Sequence, residues 1–335
     1  MKIFISGIAG FLGSHMASRL INEGHEVVGN DSLIGGYIDN VPKEATFYQY
    51  DCTNRNSMLK ITKDVDVVLH AAATAYEGLS VFSPHFVTKN IFEATSSILS
   101  ASIANKVKRF IFFSSMARYG SNNIPYNENQ IPQPVDPYGI AKYAAELLVK
   151  NVCETHDTEY VIAVPHNIIG PRQKYDDPYR NVASIMINMI LNNRQPYIYG
   201  DGNQKRCFSD IEDSIQLLNQ LIHSDKANKM TINIGPDEEF ITINELFNKI
   251  SNMMGYNEEP IYLKDRPKEI KLAYCDSTLA REKFNYKTTV NLDDSIKNLI
   301  KYIKSSPKRD FKYFVDLEIN NEQTPVSWSK KLFQK

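Results

Sequence analysis

Ile3-Phe4-Ile5-Ser6-Gly7-Ile8-Ala9-Gly10-Phe11-Leu12-Gly13 stands near the start of the chain, and its reading decides the fold. A short apolar run, Ile3–Ser6, meets three glycines spaced three apart, and an amphipathic segment follows from Phe11 to Glu23. Glycines between a strand and a helix permit a tight turn, let backbone N–H groups approach a pyrophosphate, and allow close helix–strand packing. The helix N-terminus adds partial positive charge facing the phosphates. Lys2 ahead of the run also suits a secretory leader, but Gly7, Gly10 and Gly13 interrupt it and it is too short to span a bilayer. It reads as the first structural element of a cytoplasmic protein.

Outward from this loop, apolar runs alternate with helical periodicity up to Pro165. The strands are expected at Ile3–Ser6, Glu26–Asn30, Thr46–Tyr50, Val65–His70, Arg109–Ser114 and Tyr160–Pro165. Helices are expected at Phe11–Glu23, Ser57–Lys60, Phe86–Asn105 and Pro137–His156. This alternation predicts an α/β fold, a doubly wound parallel sheet of the Rossmann type. After Pro165 the rhythm breaks at Pro171, Pro178, Pro196 and the Gly200-Asp201-Gly202 turn. Helical patterns return at Val182–Asn192, Asp213–Ile222, Ile243–Met254 and Leu292–Lys304. The expected division is a nucleotide-binding domain over 1–165 and a smaller substrate domain over 166–335, some of whose segments return to the first lobe. The tail from Ser305 to Lys335 carries Phe311, Tyr313, Phe314 and Trp328, too many aromatics for a disordered linker, and reads as a packed strap.

Composition sets the outer limits. Lys+Arg 38 against Asp+Glu 39 gives a net charge of −1, which removes the electrostatic case for a nucleic-acid or membrane-surface partner. A 42% hydrophobic and 23% charged content excludes wholesale disorder. Cys52, Cys153, Cys207 and Cys275 lie far apart without a Cys-x-x-Cys pair, and no His-x-x-x-His pair occurs, so neither a disulfide framework nor a metal centre is expected.

Two kinds of chemistry follow from spacing. Asp31 closes the second strand eighteen residues past Gly13, where a carboxylate accepts from an adenine ribose and repels an extra 2′-phosphate, favouring NAD over NADP. Asp51, after the third strand, is placed either to accept from the adenine amino group or simply to close a strand-end turn. Tyr138 and Lys142 are four apart in a predicted helix and share a face, and Ser115 ends the fifth strand twenty-three residues earlier. A free phenol, with a pKa near 10, needs positive charge nearby to act as a base at neutral pH. Lys142 and an oxidised nicotinamide would supply it. Tyr138 then takes a hydroxyl proton while hydride leaves the same carbon, and Ser115 holds that oxygen in line.

With these residues in place, the Gly7-x-x-Gly10-x-x-Gly13 spacing and the Ser115–Tyr138–Lys142 set resemble the extended short-chain dehydrogenase/reductase family. The resemblance covers nearly the whole chain and is to its nucleotide-sugar epimerase/dehydratase group, which includes enzymes like the UDP-glucose 4-epimerases. It implies NAD as cofactor, with His70-Ala71-Ala72-Ala73 beside it and Asn90 supporting the geometry. It extends cofactor contact to Phe11, Leu12, Cys52 and Pro165, and substrate contact to Thr74. Asn167 matches the family's diphosphate- and sugar-contacting Asn, and Arg206 and Arg266 its phosphate-binding arginines, with Tyr199 or Tyr197 flanking the base. Two well-separated arginines are what a diphosphate needs, since each guanidinium binds oxygens in a fork.

Departures from the family pattern narrow the reaction. Members that dehydrate or decarboxylate carry an acidic residue within two positions of the active-site Ser/Thr; here Met116 and Ala117 follow Ser115. Members that epimerise at C3 and C5 carry a Cys where Ala117 stands. Pro165-His166 replaces the usual aromatic pair, and His166 reads as a packed side chain. Redox at C4 is what remains. The favoured reading is an NAD-dependent 4-epimerase of a UDP- or GDP-linked sugar, working through a transient 4-keto sugar. A C4 dehydrogenase or 4-ketoreductase, for instance on a GDP-linked heptose, is the alternative, and a non-catalytic NAD-binding regulator is the alternative of another class. The resemblance also implies a homodimer formed through Phe86–Asn105 and Pro137–His156, and a place in surface polysaccharide synthesis.

Overall fold

The computed structural model describes residues 1–334. Seven strands form one parallel sheet: β1 (Lys2–Ser6), β2 (Glu26–Asn30), β3 (Thr46–Tyr48), β4 (Val67–His70), β5 (Arg109–Phe113), β6 (Glu159–Pro165) and β7 (Met230–Ile234). Their order is β7-β6-β5-β4-β1-β2-β3. In-register pairing sets Ser6 opposite Asn30 and His70, and Ile234 opposite Pro165, so the carboxyl ends share one edge. The order reverses between β1 and β4, which opens a crevice at that edge.

Helices cover both faces, so the central strands read as almost unbroken apolar runs. Alternate side chains go to opposite sides. Ile3, Ile5, Leu69 and Ile111 pack with Met16 and Leu20 of the Phe11–Asn22 helix and Leu218 of the Ile211–His223 helix. Phe4, Val68, Phe110 and Phe112 face Ile98 and Leu99 of the Ala94–Ala104 helix and Val149 of the Pro137–Thr155 helix. Each such fully buried side chain contributes about 1.5–3 kcal/mol.

One segment of the second half completes the sheet, and one expected helix is not continuous. The strand β7, from the second half, joins the sheet beside β6, and the Ile211–His223 helix covers it, so these second-half segments belong with the first lobe. The strand Met230-Thr231-Ile232-Asn233-Ile234 carries a buried polar residue, Asn233, with its bonds internally met: it accepts from the Tyr119 hydroxyl at 2.8 Å and donates to the Tyr126 carbonyl at 3.1 Å. The expected Phe86–Asn105 helix is also interrupted. It runs as Pro84–Thr88, a π-turn over Lys89–Glu93, then Ala94–Ala104. Asn90 in that turn donates from its side chain to the Phe86 carbonyl at 2.8 Å, the acceptor that its own N–H would take in a regular helix.

The second lobe packs the Val182–Leu191, Ile243–Met254 and Leu292–Ser305 helices around Ile187, Leu246 and Leu299. All four cysteines are buried and free. The tail is a strap, as its aromatics predicted. Phe311, Val315, Trp328 and Phe333 are buried with Tyr76, Leu79, Phe82 and Tyr179. Glu318 accepts from the His85 and Phe86 N–H groups, and Arg194 holds the Leu332 and Phe333 carbonyls. The strap thus spans both lobes over the carboxyl edge. Trp328→Ala is expected to cost about 3–5 kcal/mol, the usual loss for a buried aromatic, as a lower urea midpoint with an unchanged m-value.

Candidate active site

The crevice contains a cavity that meets the glycine loop at one end and the second lobe at the other. Gly7 has φ +72°, and a Cβ on it would stand 2.9 Å from the Ala72 backbone; one on Gly13 would stand 2.2 Å from the Gly7 carbonyl. No side chain caps the helix at Gly10, so its first-turn amides remain for an anion. Asp31, almost fully buried, accepts from the Ala9 and Leu33 N–H groups at 3.0 and 2.7 Å; burial nevertheless raises its pKa. A loop only glycine can form, free helical amides and a buried carboxylate at the next strand end fit a dinucleotide.

Gly7, Gly10, Phe11, Leu12, Gly13, Asp31, Asp51, Cys52, Ala71, Ala72, Thr74, Asn90, Ser115, Tyr138, Lys142, Pro165, Asn167 and Arg206 all line this cavity. His70 does not. It lies beneath the floor in a relay: Ala72 N–H donates to Ser6 Oγ, whose hydroxyl proton is then directed to His70 Nδ1 at 2.7 Å, leaving Nε2–H to donate to Thr95. Burial pushes the imidazole down to about 3, so it is neutral and fixes the Ala71-Ala72 backbone. Asp51 accepts from the N–H and hydroxyl of Thr53, which makes it a strand-end turn residue as well as a cavity neighbour. His166 is packed as expected, with Nε2 at 3.0 Å from the Pro236 carbonyl and a pKa pushed down to about 4 by burial.

The helix carrying Tyr138 starts at a built N-terminus. Asp136 accepts from Gly139 N–H at 2.9 Å and Pro137 takes the first position. This puts Tyr138 in the first turn and Lys142 one turn on, where its Nζ donates to the Phe113 carbonyl at 2.7 Å at the end of β5. Burial pushes the Tyr138 phenol up to about 12, against the pull of the Ser115 hydroxyl and Arg180. Burial pushes Lys142 down to about 7. Both shifts oppose a tyrosinate–ammonium pair, so burial alone leaves the tyrosine protonated.

Beyond Asn167 and Arg206 the cavity opens into an outer chamber lined by Tyr197, Tyr199, Arg266 and Phe333. Asn167 sits in the left-handed region at φ +44° and donates to the Cys207 carbonyl at 3.0 Å. The sequence-predicted Arg206 and Arg266 meet, and Glu269, absent from the sequence reading, lies between them at 3.2 and 2.6 Å. Its spacing three residues after Arg266 was the available signal. The Arg266 guanidinium lies 4.7 Å from the Tyr199 ring centroid, and the Tyr199 hydroxyl meets Ser327 of the strap at 2.5 Å. Glu77, Asp136, Arg180 and Asn181 line both chambers and were also missed. Glu77 follows β4 by seven residues, in a loop at the carboxyl edge where sites of this fold are built, and that position was its only signal. Met116 and Ala117 leave no acid behind Ser115, yet a carboxyl does enter the cavity, from the Glu77 turn. At the other end of the strands Glu23, His25 and His223 cluster, with Glu23 engaged by Arg19 and Asn219.

The profile of the NAD dependent epimerase/dehydratase family matches residues 3–235. A Methanocaldococcus jannaschii protein provisionally named a UDP-glucose 4-epimerase is 34% identical over 91% of this chain and 99% of its own. The crystal structure of a Thermotoga maritima UDP-glucose 4-epimerase with UDP-glucose superposes with a TM-score of 0.85 at 30% identity, over 91% of this chain and 99% of that one. A Bacillus cereus UDP-glucuronic acid 4-epimerase in complex with UDP-glucuronic acid and NAD gives 0.84 at 29%, with the same coverage. Sheet, cofactor cleft and sequence similarity agree: the chain is an enzyme of the NAD-dependent epimerase/dehydratase family, within the extended short-chain dehydrogenases/reductases.

Proposed function

We propose that the protein inverts C4 of a nucleoside-diphosphate sugar through a transient 4-keto sugar. The observation that carries this reading is the convergence of Ser115, Tyr138 and Lys142 on one cavity that leads from the glycine loop to an arginine-bearing chamber. The Gly7–Gly13 loop with Phe11 and Leu12 would hold the cofactor's diphosphate, and Asp31 its adenine ribose. NAD held there would supply the hydride acceptor for C4 and the hydride that returns. Tyr138 takes the proton from the C4 hydroxyl and gives it back, while Ser115 fixes that oxygen. Lys142, anchored to the Phe113 carbonyl, would hold the nicotinamide ribose and, when protonated, add positive charge beside the phenol. Arg206 and Arg266 hold the substrate diphosphate as the pivot about which the ketosugar turns, Asn167 and Thr74 contact the sugar side, and Tyr199 the base. The C4-epimerases among the relatives support this choice and are named for UDP-linked sugars, while GDP-mannose 3,5-epimerases at 28% identity keep a GDP-linked substrate in the test.

Incubation with UDP-hexoses and GDP-hexoses, read by NMR at C4 and by absorbance of the nicotinamide, tests the reading. Inverted C4 without net NADH is expected; accumulating ketosugar with NADH assigns a dehydrogenase instead, and neither signal with NAD bound leaves a regulator.

No described helix is long and apolar enough to cross a membrane. Buried, free cysteines support a place in the cytoplasm. The same reading includes a homodimer. Phe92, Ile140 and Leu147, on the two helices expected to pair, are 41%, 53% and 50% exposed, which suits a face closed by a second copy. Light scattering is expected to give a dimer mass, and Leu147→Glu a monomer; a monomeric wild type would refute the pairing.

A further inference from the structure

Glu77 is a carboxylate with no partner of its own. Its backbone belongs to the single turn Glu77–Ser80, pinned from below by the strap: a Cβ on the next residue, Gly78, would stand 3.3 Å from Trp328 and 3.2 Å from Arg266. Its side chain lines both chambers and is exposed to the water of the cavity. Among the described residues it makes no side-chain hydrogen bond or ion pair, while the other carboxylates of the site are engaged: Asp136 with Gly139, Glu269 with Arg206 and Arg266.

The charges facing it come from every wall. Asp136, at the start of the tyrosine helix, and Glu269 disfavour its anion, and Arg206 and Arg266 favour it. Tyr138 and Tyr126 also feel its charge. Desolvation by the surrounding walls is the largest influence and, with Asp136, pushes the carboxyl up to about 7. A sugar held with its C4 at Tyr138 and its diphosphate at Arg206 and Arg266 has to pass Glu77. A diphosphate there brings negative charge close to Glu77 and occupies the two guanidinium groups that favour its anion. Both effects favour the protonated form.

We propose that Glu77 is a substrate-contacting residue that enters the nucleotide-sugar complex as the neutral acid and donates its proton in a hydrogen bond to a diphosphate or sugar oxygen. This rests on the nucleotide-sugar reading above. The balance is simple: the empty site near neutrality holds a mixture of carboxylate and acid, and each molecule that binds to a deprotonated site draws one proton from solvent. Binding is therefore strongest below the titration point of the free site and weakens as pH rises through it. The proton makes Glu77 a donor, so it selects an oxygen acceptor over an ammonium or other cationic substituent at that place on the sugar.

The test is calorimetric binding of UDP-glucose, and in parallel GDP-mannose, to the NAD-loaded protein. Neither probe has a group of its own that titrates near neutrality in its diphosphate diester. Titrations in buffers of different ionisation enthalpy count the protons taken up. For whichever probe binds, the wild type is expected to take up most of one proton at about pH 8, and its Kd to rise at least about fivefold between about pH 6.5 and about pH 8.5. Glu77→Gln, which keeps a donor amide without a titratable proton, should abolish the uptake and hold Kd nearly constant. Equal proton uptake in the two proteins overturns the role of Glu77 alone and points to Lys142. Binding of neither probe by the wild type overturns the nucleotide-sugar reading and this inference with it. Circular dichroism and retained NAD establish that the variant is folded.

Discussion

Tyr138→Phe is expected to lower turnover by about a thousandfold while leaving NAD bound. The phenyl ring keeps its packing among Tyr76, Ala117 and Ala141, so the fold loses little. What disappears is the group that takes and returns the C4 hydroxyl proton, and positioned acid–base groups contribute about 10²–10⁴ in rate. Burial pushes this phenol up to about 12, so its activity as a base depends on positive charge placed beside it. Turnover of a UDP-hexose and NAD released on denaturation measure the two halves. Activity within about tenfold of wild type would refute Tyr138 as the base, because general acid–base catalysis of this kind is worth more than that.

Arg118→Ala is expected to destabilise the fold by about 3–5 kcal/mol, the cost of leaving a buried charge alone. Glu146 is fully buried on the tyrosine helix, one turn past Lys142, and Arg118 meets it at 2.8 Å. The Ser114 hydroxyl donates to the same carboxylate, and the guanidinium also lies 4.8 Å from the Tyr119 ring centroid. This pair fastens the segment around Ser115 to the helix bearing Tyr138 and Lys142. The double replacement Arg118→Met with Glu146→Leu removes both charges and should recover most of the stability. Urea unfolding of the two single variants and the double variant measures the coupling. A single replacement costing under about 1 kcal/mol would mean that the charge is not isolated.

The parts of the site that were legible in the sequence are those fixed by local rules. Gly7 and Gly13 are demanded by close backbone approaches, and Asp31 by its place at the next strand end. Tyr138 and Lys142 share a helix face, and Ser115 lies just past a strand end, two residues after Phe113. The parts that escaped depend on contacts distant in sequence. β7 was hidden by Asn233, whose polarity is balanced by Tyr119 and Tyr126 more than a hundred residues away. His70 matched the family segment, but the alternation of strand side chains turns its ring under the floor toward Ser6 and Thr95. Glu77 and Arg180 belong to loops without periodicity, and only the folded chain brings them to Tyr138. Arg206 and Arg266 were read separately, whereas Glu269 joins them into one unit. The tail was read correctly as a strap, but its reach to Tyr199 through Ser327 could not be inferred from its composition.

The central claim is that hydride leaves C4 and returns to the opposite face of the same sugar. UDP-glucose deuterated at C4 tests it directly. The account predicts a C4-inverted product that retains its deuterium at C4 through many turnovers, with no reduced cofactor accumulating. Deuterium lost from the sugar and recovered in free reduced nicotinamide, beside a released 4-keto sugar, would contradict it.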